Sequence, residues 1–378
     1  MRVLAIETSC DDTSLAIVSY EGNDFVVEQL VSYTQVIHQQ YGGIVPELAS
    51  REHAEQVVEV FKTMVKNDIW KDSKYCVPTE DYVKFFEKID AVAYTAEPGL
   101  PGSLVVGETF AKTLALQYEK PLLPINHIHG HIFSILLERK ISDVEFPLVI
   151  LTASGGHNDL YFVENCDNRG TWQSWQIVGK FLIRKLGGSL DDASGECFDK
   201  VARMLGWTFP GGPWISKQAA QAVPDPSISF TRIFLKKGEH MFSFSWMKSQ
   251  VFSYLQSLEK EGKELTEDVV CAIAWEFQEA VVEVLAKKLV RAWLEYDAKT
   301  IAIAGGVSAN GRLREYLNSL TQNKKWLYNQ VTGEKLKTAG WEITLENLPV
   351  PKVMKPVKIV YSTDNGAMIG AACIVGQN

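Results

Sequence analysis

No cysteine pair at CxxC spacing, no apolar run of membrane-spanning length, no low-complexity tract and no surplus of positive charge occurs in this chain of 378 residues. The six cysteines, at 10, 76, 166, 197, 271 and 373, are scattered, which excludes a zinc ribbon or a disulfide framework and implies reduced thiols. The opening apolar run Val3-Leu4-Ala5-Ile6 stops at Glu7, too short for a signal peptide, so a cytoplasmic location and no membrane partner are expected. A formal net charge of −8 argues against binding nucleic acid by bulk electrostatics, because neutralising phosphates takes clustered Lys and Arg. Any RNA contact must be local, or shared with a partner.

What is present is an ordinary globular composition, 46% hydrophobic and 22% charged, with room for two domains. A repeat organises it. Val3-Leu4-Ala5-Ile6, a polar turn from Glu7 to Ser14 and Leu15-Ala16-Ile17-Val18 read as two buried strands around a tight loop. The pattern returns as Leu148-Val149-Ile150-Leu151, the turn Thr152-Ala153-Ser154-Gly155-Gly156-His157-Asn158-Asp159, and Leu160-Tyr161-Phe162-Val163. Ile89 to Tyr94 runs into a glycine-rich loop and a helix, as Thr300 to Ala304 runs into Gly305-Gly306 and a helix. Leu122-Leu123-Pro124-Ile125 before a histidine cluster matches Val357-Lys358-Ile359-Val360 before Tyr361-Ser362-Thr363-Asp364. Such doubling implies two α/β domains of similar topology meeting across a cleft. Helices are expected near 49–64 and 272–293. In the second, Val269, Ile273, Phe277, Val281, Leu285 and Leu289 recur every four residues, the spacing of a core face. Residues 65–88 and 321–358 read as insertions. The later one holds seven Lys against three Glu with Trp326, Tyr328 and Trp341 interleaved, a solvated hairpin or loop with RNA contact as the alternative.

The histidines stand in Asn126-His127-Ile128-His129-Gly130-His131. If a helix begins near His127, His127 and His131 lie about 40° apart around its axis, as chelating imidazoles need, whereas His129 is rotated by about 200°. A pseudo-twofold axis would bring the loop carrying Asp364 opposite them, and a His, His, Asp set with open positions is a catalytic rather than a closed site. Taken alone, Asp364 reads as a helix N-cap. Ser154-Gly155-Gly156 lets backbone amides approach a phosphate or carbonyl. Asp192, Glu196 and Asp199 place carboxylates along a helical face, suited to sugar hydroxyls. Gly212, in Phe209-Pro210-Gly211-Gly212-Pro213, and Asn310, after Gly305-Gly306, are suited to a nucleoside.

These stretches resemble a known family. I-E-T-S-C-D-D-T from Ile6, Y-G-G-I-V-P-E-L-A-S-R-E-H from Tyr41, N-H-I-H-G-H from Asn126, S-G-G-H from Ser154, G-E-C-F-D-K from Gly195, F-P-G-G-P from Phe209, A-G-G-V-S-A-N from Ala304 and S-T-D-N-G-A-M-I-G from Ser362 look like the bacterial TsaD tRNA threonylcarbamoyltransferases. The resemblance implies a duplicated actin-like, sugar-kinase-like ATPase (ASKHA) fold, with lobes 1–132 and 133–364 and helix 365–378 packing back on the first. It implies transfer of threonylcarbamoyl from threonylcarbamoyl-AMP to N6 of adenosine 37 in tRNAs reading ANN codons, in the bacterial cytoplasm. By match to its motifs, His127, His131 and Asp364 would hold iron or zinc. Thr152, Ala153, Ser154, Gly155, Gly156, Asp199, Gly212 and Asn310 would line the site of an adenylate (the intermediate, ATP, ADP or AMP), and Asp11 is the catalytic carboxylate. Implied partners are tRNA, a TsaB-like paralogue and a TsaE-like ATPase, with a TsaC-like enzyme supplying the intermediate. Departures from the family pattern are His129 for a commoner Glu, Glu97 for Gly and Trp246 for Gly.

Three rival readings follow from the same residues. A zinc peptidase of the H-E-x-x-H type needs Glu where Ile128 stands. A sugar-kinase-like ATPase of the same fold needs no His pair, and a non-catalytic TsaB-type subunit lacks it.

Overall fold

The computed structural model describes residues 1–69, 79–166, 176–235, 240–330 and 348–377. It divides into two compact units: Met1–Val144 with Val178–Lys180 and Pro356–Asn378, and Glu145–Ile177 with Phe181–Lys355.

In the first unit, β1 (Arg2–Glu7), β2 (Asp12–Glu21) and β3 (Asp24–Thr34) form an antiparallel meander. On the far side of β1, β4 (Ala91–Glu97) and β5 (Leu122–Asn126) add in parallel, joined by the crossover helix α3 (Pro101–Gln117) that parallel pairing requires. With β6 (Arg139–Lys140) beside β3 the order is β5-β4-β1-β2-β3-β6. Strand β1 is covered on both faces, which is why Val3, Leu4, Ala5 and Ile6 form an unbroken apolar run rather than alternating. Leu4, Ile6, Leu15 and Ile17 pack against Val57, Phe61 and Met64 of α1 (Pro46–Ile69) and Phe85 and Phe86 of α2 (Thr79–Glu87). The opposite face, at Ala5, Ala16 and Val18, receives helix α11 (Gly366–Gln377). The contact is backbone to backbone: a Cβ on Gly366 would lie 2.7 Å from Ala16 N and 2.9 Å from Ala5 O. The short helix α4 (His127–Phe133) packs on α11 in turn, with Gly130 against Met368 and Ile369.

The second sheet repeats the first five strands of that order. β7 (Leu148–Ala153), β8 (Asn158–Asn165) and β10 (Phe181–Gly188) are antiparallel, β11 (Thr300–Ala304) and β12 (Lys352–Met354) run parallel to β7, and β9 (Gln176–Val178) lies at the edge. In the order β12-β11-β7-β8-β10-β9 the first five strands match β5-β4-β1-β2-β3 of the first sheet, whereas the edge strand β9 precedes β10 in the chain and β6 follows β5. Around it stand α5 (Ser194–Met204), α6 (Gly211–Ala219), α7 (Ser245–Lys260), α8 (Glu267–Glu295), α9 (Gly311–Gln322) and α10 (Lys324–Gln330). Ile273, Phe277, Val281, Leu285 and Leu289 of α8 are fully buried in the core, as their spacing predicts.

The structure differs from the sequence reading at several points. Residues 133–144 belong to the first unit because β6 pairs with Asp24 and Phe25 of β3. The counterpart of β5 is β12 at Lys352–Met354, not the run at 357–360, since Pro356 lacks the amide a continuing strand needs. Ile359–Tyr361 is instead a 3-10 turn, where the Tyr361 hydroxyl donates to Glu138 Oε1 at 3.0 Å. Asp364 therefore lies in the same unit as the histidines, not in its counterpart. Of the expected insertions, residues 70–78 and 331–347, with Trp341, lie outside the described residues, while Trp326 and Tyr328 pack against the second core. Among the described residues no helix is long and apolar enough to cross a membrane.

Candidate functional site

Asn126 caps α4, its Oδ1 accepting from Ile128 N at 2.9 Å and His129 N at 3.3 Å, so His127 opens the helix and His131 follows one turn later. Both imidazoles are buried, and their rings meet edge to face with centroids 4.7 Å apart. Asp364 reaches them from just ahead of α11. The cap of that helix is the neighbour, Asn365, whose Oδ1 accepts from Met368 N at 3.0 Å while its Nδ2 donates to Val360 O at 3.2 Å and Thr363 O at 2.7 Å. With the cap supplied by Asn365, the Asp364 carboxylate is turned to the histidines: Oδ1 lies 3.6 Å from His127 Nε2 and 3.2 Å from His131 Nε2.

The donor atoms of His127, His131 and Asp364 all lie within 4.8 Å of one another. Ligands on a tetrahedral ion with bonds of about 2.0 Å stand about 3.3 Å apart, so the two distances to Asp364 match what an ion requires. Among the described residues neither ring nitrogen of His131 has a hydrogen-bond partner, although the side chain is fully buried. Such a vacancy costs about 1–3 kcal/mol, and a metal bond at one nitrogen relieves it there. The donor set fits a divalent metal.

Behind His127 stands Glu7, at the end of β1 and itself fully buried. Its Oε2 is 3.1 Å from His127 Nδ1, and Ser9 Oγ is also 3.1 Å from that nitrogen. Burial opposes the charged imidazole, but Glu7 and Asp364 outweigh it and hold His127 up at about 9. Burial likewise opposes the Glu7 charge, and the His127 ring and the Ser9 bond carry its carboxyl below the ordinary value. Asp11 is half-buried in the turn between β1 and β2, its backbone carbonyl accepting from Gln35 N at 3.1 Å. The next carboxyl, Asp12, is pushed up to about 7 by burial, against a Thr34 hydrogen bond and with the charges of Asp11, Asp364 and Glu7 adding to the rise.

The remaining candidates lie in the second unit. Thr152 and Ala153 end β7, buried, and Ser154 to His157 form its turn, with Ser154 N donating to His157 O at 2.8 Å. Gly155 and Gly156 are exposed with open space around them. Gly195, at the start of α5, presses on that turn, since a Cβ there would sit 2.5 Å from Ser154 O. Gly305, at φ +84°, presses on Ala153 from the other side. Asp199 on α5 accepts from Gly211 N at 2.6 Å, tying α5 to the first turn of α6, which holds Gly212; burial raises its carboxyl above the usual range. Asn310 caps α9 through Leu313 N at 3.0 Å and donates Nδ2 to Gln278 Oε1 at 2.9 Å and Ser216 Oγ at 3.1 Å. Both amide hydrogens are thus spent within the protein, and the oxygen, already taking the cap bond from Leu313 N, has one further lone pair. The acidic stretch from Asp192 is neutralised: Asp192 pairs with Lys200 and Lys248, and Glu196 with Lys200. Asp192 precedes the helix and does not share its face.

Sequence reasoning passed over Glu7, Ser9, Asn365 and Gln278. In the sequence Glu7 ends an apolar run and opens a polar turn, and no local spacing marks it as a partner of His127.

Residues 26–371 match the TsaD family model, described as tRNA N6-adenosine threonylcarbamoyltransferase. A curated protein of that name from Endomicrobium trichonymphae is 38% identical over 379 residues, covering 100% of this chain and 93% of its own. One from Syntrophomonas wolfei is 38% identical over 320 residues, covering 85% and 84%. Among solved structures, HypF from T. kodakarensis superposes with a TM-score of 0.50 at 12% identity over 99% of this chain, which spans about half (48%) of HypF; that likeness bears on the fold alone.

Proposed function

The chain belongs to the tRNA N6-adenosine threonylcarbamoyltransferase family, and on that premise we propose that His127, His131 and Asp364 hold a divalent metal ion, iron or zinc, for the transfer. The observation that carries this reading is the approach of two buried imidazole nitrogens to one carboxylate oxygen, with neither His131 nitrogen hydrogen-bonded among the described residues. Bound there, the ion supplies Lewis-acid polarisation of a carbonyl.

The donor in this reading is threonylcarbamoyl-AMP and the acceptor is N6 of adenosine 37 in tRNAs reading ANN codons. Backbone amides of Gly155 and Gly156, with Thr152, Ala153 and Ser154 beside them, hold the adenylate phosphate; Asp199, Gly212 and Asn310 hold its nucleoside. Asp11 takes or relays the proton that leaves the amine as AMP departs. An exocyclic amine is a weak nucleophile, so holding both substrates in register supplies much of the acceleration. In the bacterial cytoplasm the enzyme works with a TsaB-like paralogue and a TsaE-like ATPase, fed by a TsaC-like enzyme. A sugar-kinase-like ATPase would leave the buried imidazole pair without a task.

The test is incubation with tRNA, threonine, bicarbonate, ATP and the helper proteins, reading modified adenosine by mass spectrometry. His127→Ala is expected to abolish the product with the fold intact, and His129→Ala to keep it. Full activity of His127→Ala removes the ion from the mechanism.

A further inference from the structure

A fully buried carboxylate needs a reason, because an uncompensated charge in the interior is destabilising by several kcal/mol. Glu7 is compensated from three directions. Ser9 N donates to Oε1 at 2.5 Å, Thr95 Oγ1 on the adjacent strand β4 donates to Oε2 at 2.5 Å, and His127 Nδ1 lies 3.1 Å from Oε2. Strands β1 and β4 are locked in register at Ile6 and Tyr94, so the carboxylate is fixed by the sheet rather than by a loop.

We propose that Glu7 is a positioning residue for the metal site: it accepts from His127 Nδ1–H, fixing the tautomer that leaves Nε2 bare, and supplies the second negative charge that balances a divalent ion. The inference rests on the metal reading above. A lone pair on Nδ1 facing a carboxylate oxygen would be repulsive, so the proton sits on Nδ1. Nε2, 3.6 Å from Asp364 Oδ1, is then the coordinating nitrogen. Charge balance gives the same answer independently. Asp364 offers one negative charge to a dication between two neutral imidazoles, and in a buried site the leftover positive charge is costly unless a second carboxylate stands close. Glu7 is that carboxylate, held one imidazole away from the ligand corner.

The experiment compares zinc affinity, by chelator competition, in the wild type, Glu7→Gln and Thr95→Val. Glu7→Gln keeps the shape and loses the charge, and is expected to weaken zinc binding about 10–100-fold. Thr95→Val removes a bond to the same carboxylate without touching His127, and is expected to stay within about threefold. Equal affinity of Glu7→Gln and wild type overturns the proposal, as does an equal loss in both variants, which would make Glu7 a merely structural residue. Should Glu7→Gln fail to fold, 15N NMR of the histidine-labelled, metal-free wild type at about pH 10.5, where the His127 ring is neutral, decides. An Nδ1–H, bare-Nε2 tautomer at His127 supports the assignment, and an Nε2–H tautomer overturns it. A wild type that binds no zinc and no ferrous iron sinks the metal reading itself, and this inference with it, whereas the variant comparison can fail while that reading stands.

Discussion

Asn365 touches no ligand atom, yet the geometry makes it the residue that sets Asp364 in place. It is buried, caps α11 through Met368 N, and ties the preceding turn down through Val360 O and Thr363 O. Replacement by alanine removes the cap, worth about 1 kcal/mol, and two side-chain to backbone hydrogen bonds, each about 1 kcal/mol net. The expected loss of stability is about 3 kcal/mol. Asn365→Ser separates the two jobs, because its hydroxyl still caps the helix but cannot reach both carbonyls; about 2 kcal/mol is expected there. Since both variants free the segment that carries Asp364, both are expected to weaken zinc binding about tenfold, the scale of residues that orient metal ligands. The assays are urea denaturation of the metal-free protein and zinc titration against a chelator at pH 7.5. If Asn365→Ala loses less than about 0.5 kcal/mol, or if Asn365→Ser binds zinc as tightly as the wild type, then Asp364 is held by something other than this cap, and the account of its placement fails.

The raised Asp12 carboxyl has a definite sign. Its folded value of about 7 lies above the ordinary 3.8, so the folded state binds the proton more tightly and its contribution is complete below about pH 4 and lost as pH rises through about 7. At about 1.4 kcal/mol per pH unit the upper bound is about 4 kcal/mol. Denaturation of metal-free Asp12→Asn should show that fall flattened, and an unchanged pH profile would refute the assignment. Gln278 accepts from both Ser216 and Asn310, so Gln278→Leu leaves two donors unmatched; about 2 kcal/mol of stability and an increased KM for the adenylate are expected, from denaturation and steady-state kinetics. Gly195→Ala drives a Cβ onto Ser154 O, a backbone atom that cannot rotate away. A loss of about 1–3 kcal/mol together with weaker AMP binding by calorimetry is expected, and unaltered AMP binding would remove the Ser154 turn from the ligand site.

The duplicated sheet was legible because each half announces itself locally: a buried central strand reads as an unbroken apolar run, and β1 and β7 both do. The His127 and His131 pairing was legible for the same kind of reason, since four residues is a helical turn and Asn126 marks the helix start. What local pattern could not convey was which surface the chain returns to after β12. Val357 to Val360 has the composition of a strand, but Pro356 and the bonds from Lys358 and Tyr361 to Glu138 decide otherwise. Symmetry between the halves therefore pointed to Asp364 but misplaced its origin. It reaches the histidines through α11, whose Gly366 and Gly370 let it lie directly on β1 and β2. Glu7 escaped notice on the same physical ground. Its partners Thr95 and His127 are 88 and 120 residues away in sequence, and contacts of that separation leave no periodicity to read. The two proposed histidine ligands are short-range features of one helix and its cap, while Asp364, Glu7 and Asn365 arrive from distant parts of the chain. A search for ligand spacing finds only the former, and a perturbation of Glu7 or Asn365 tests the latter.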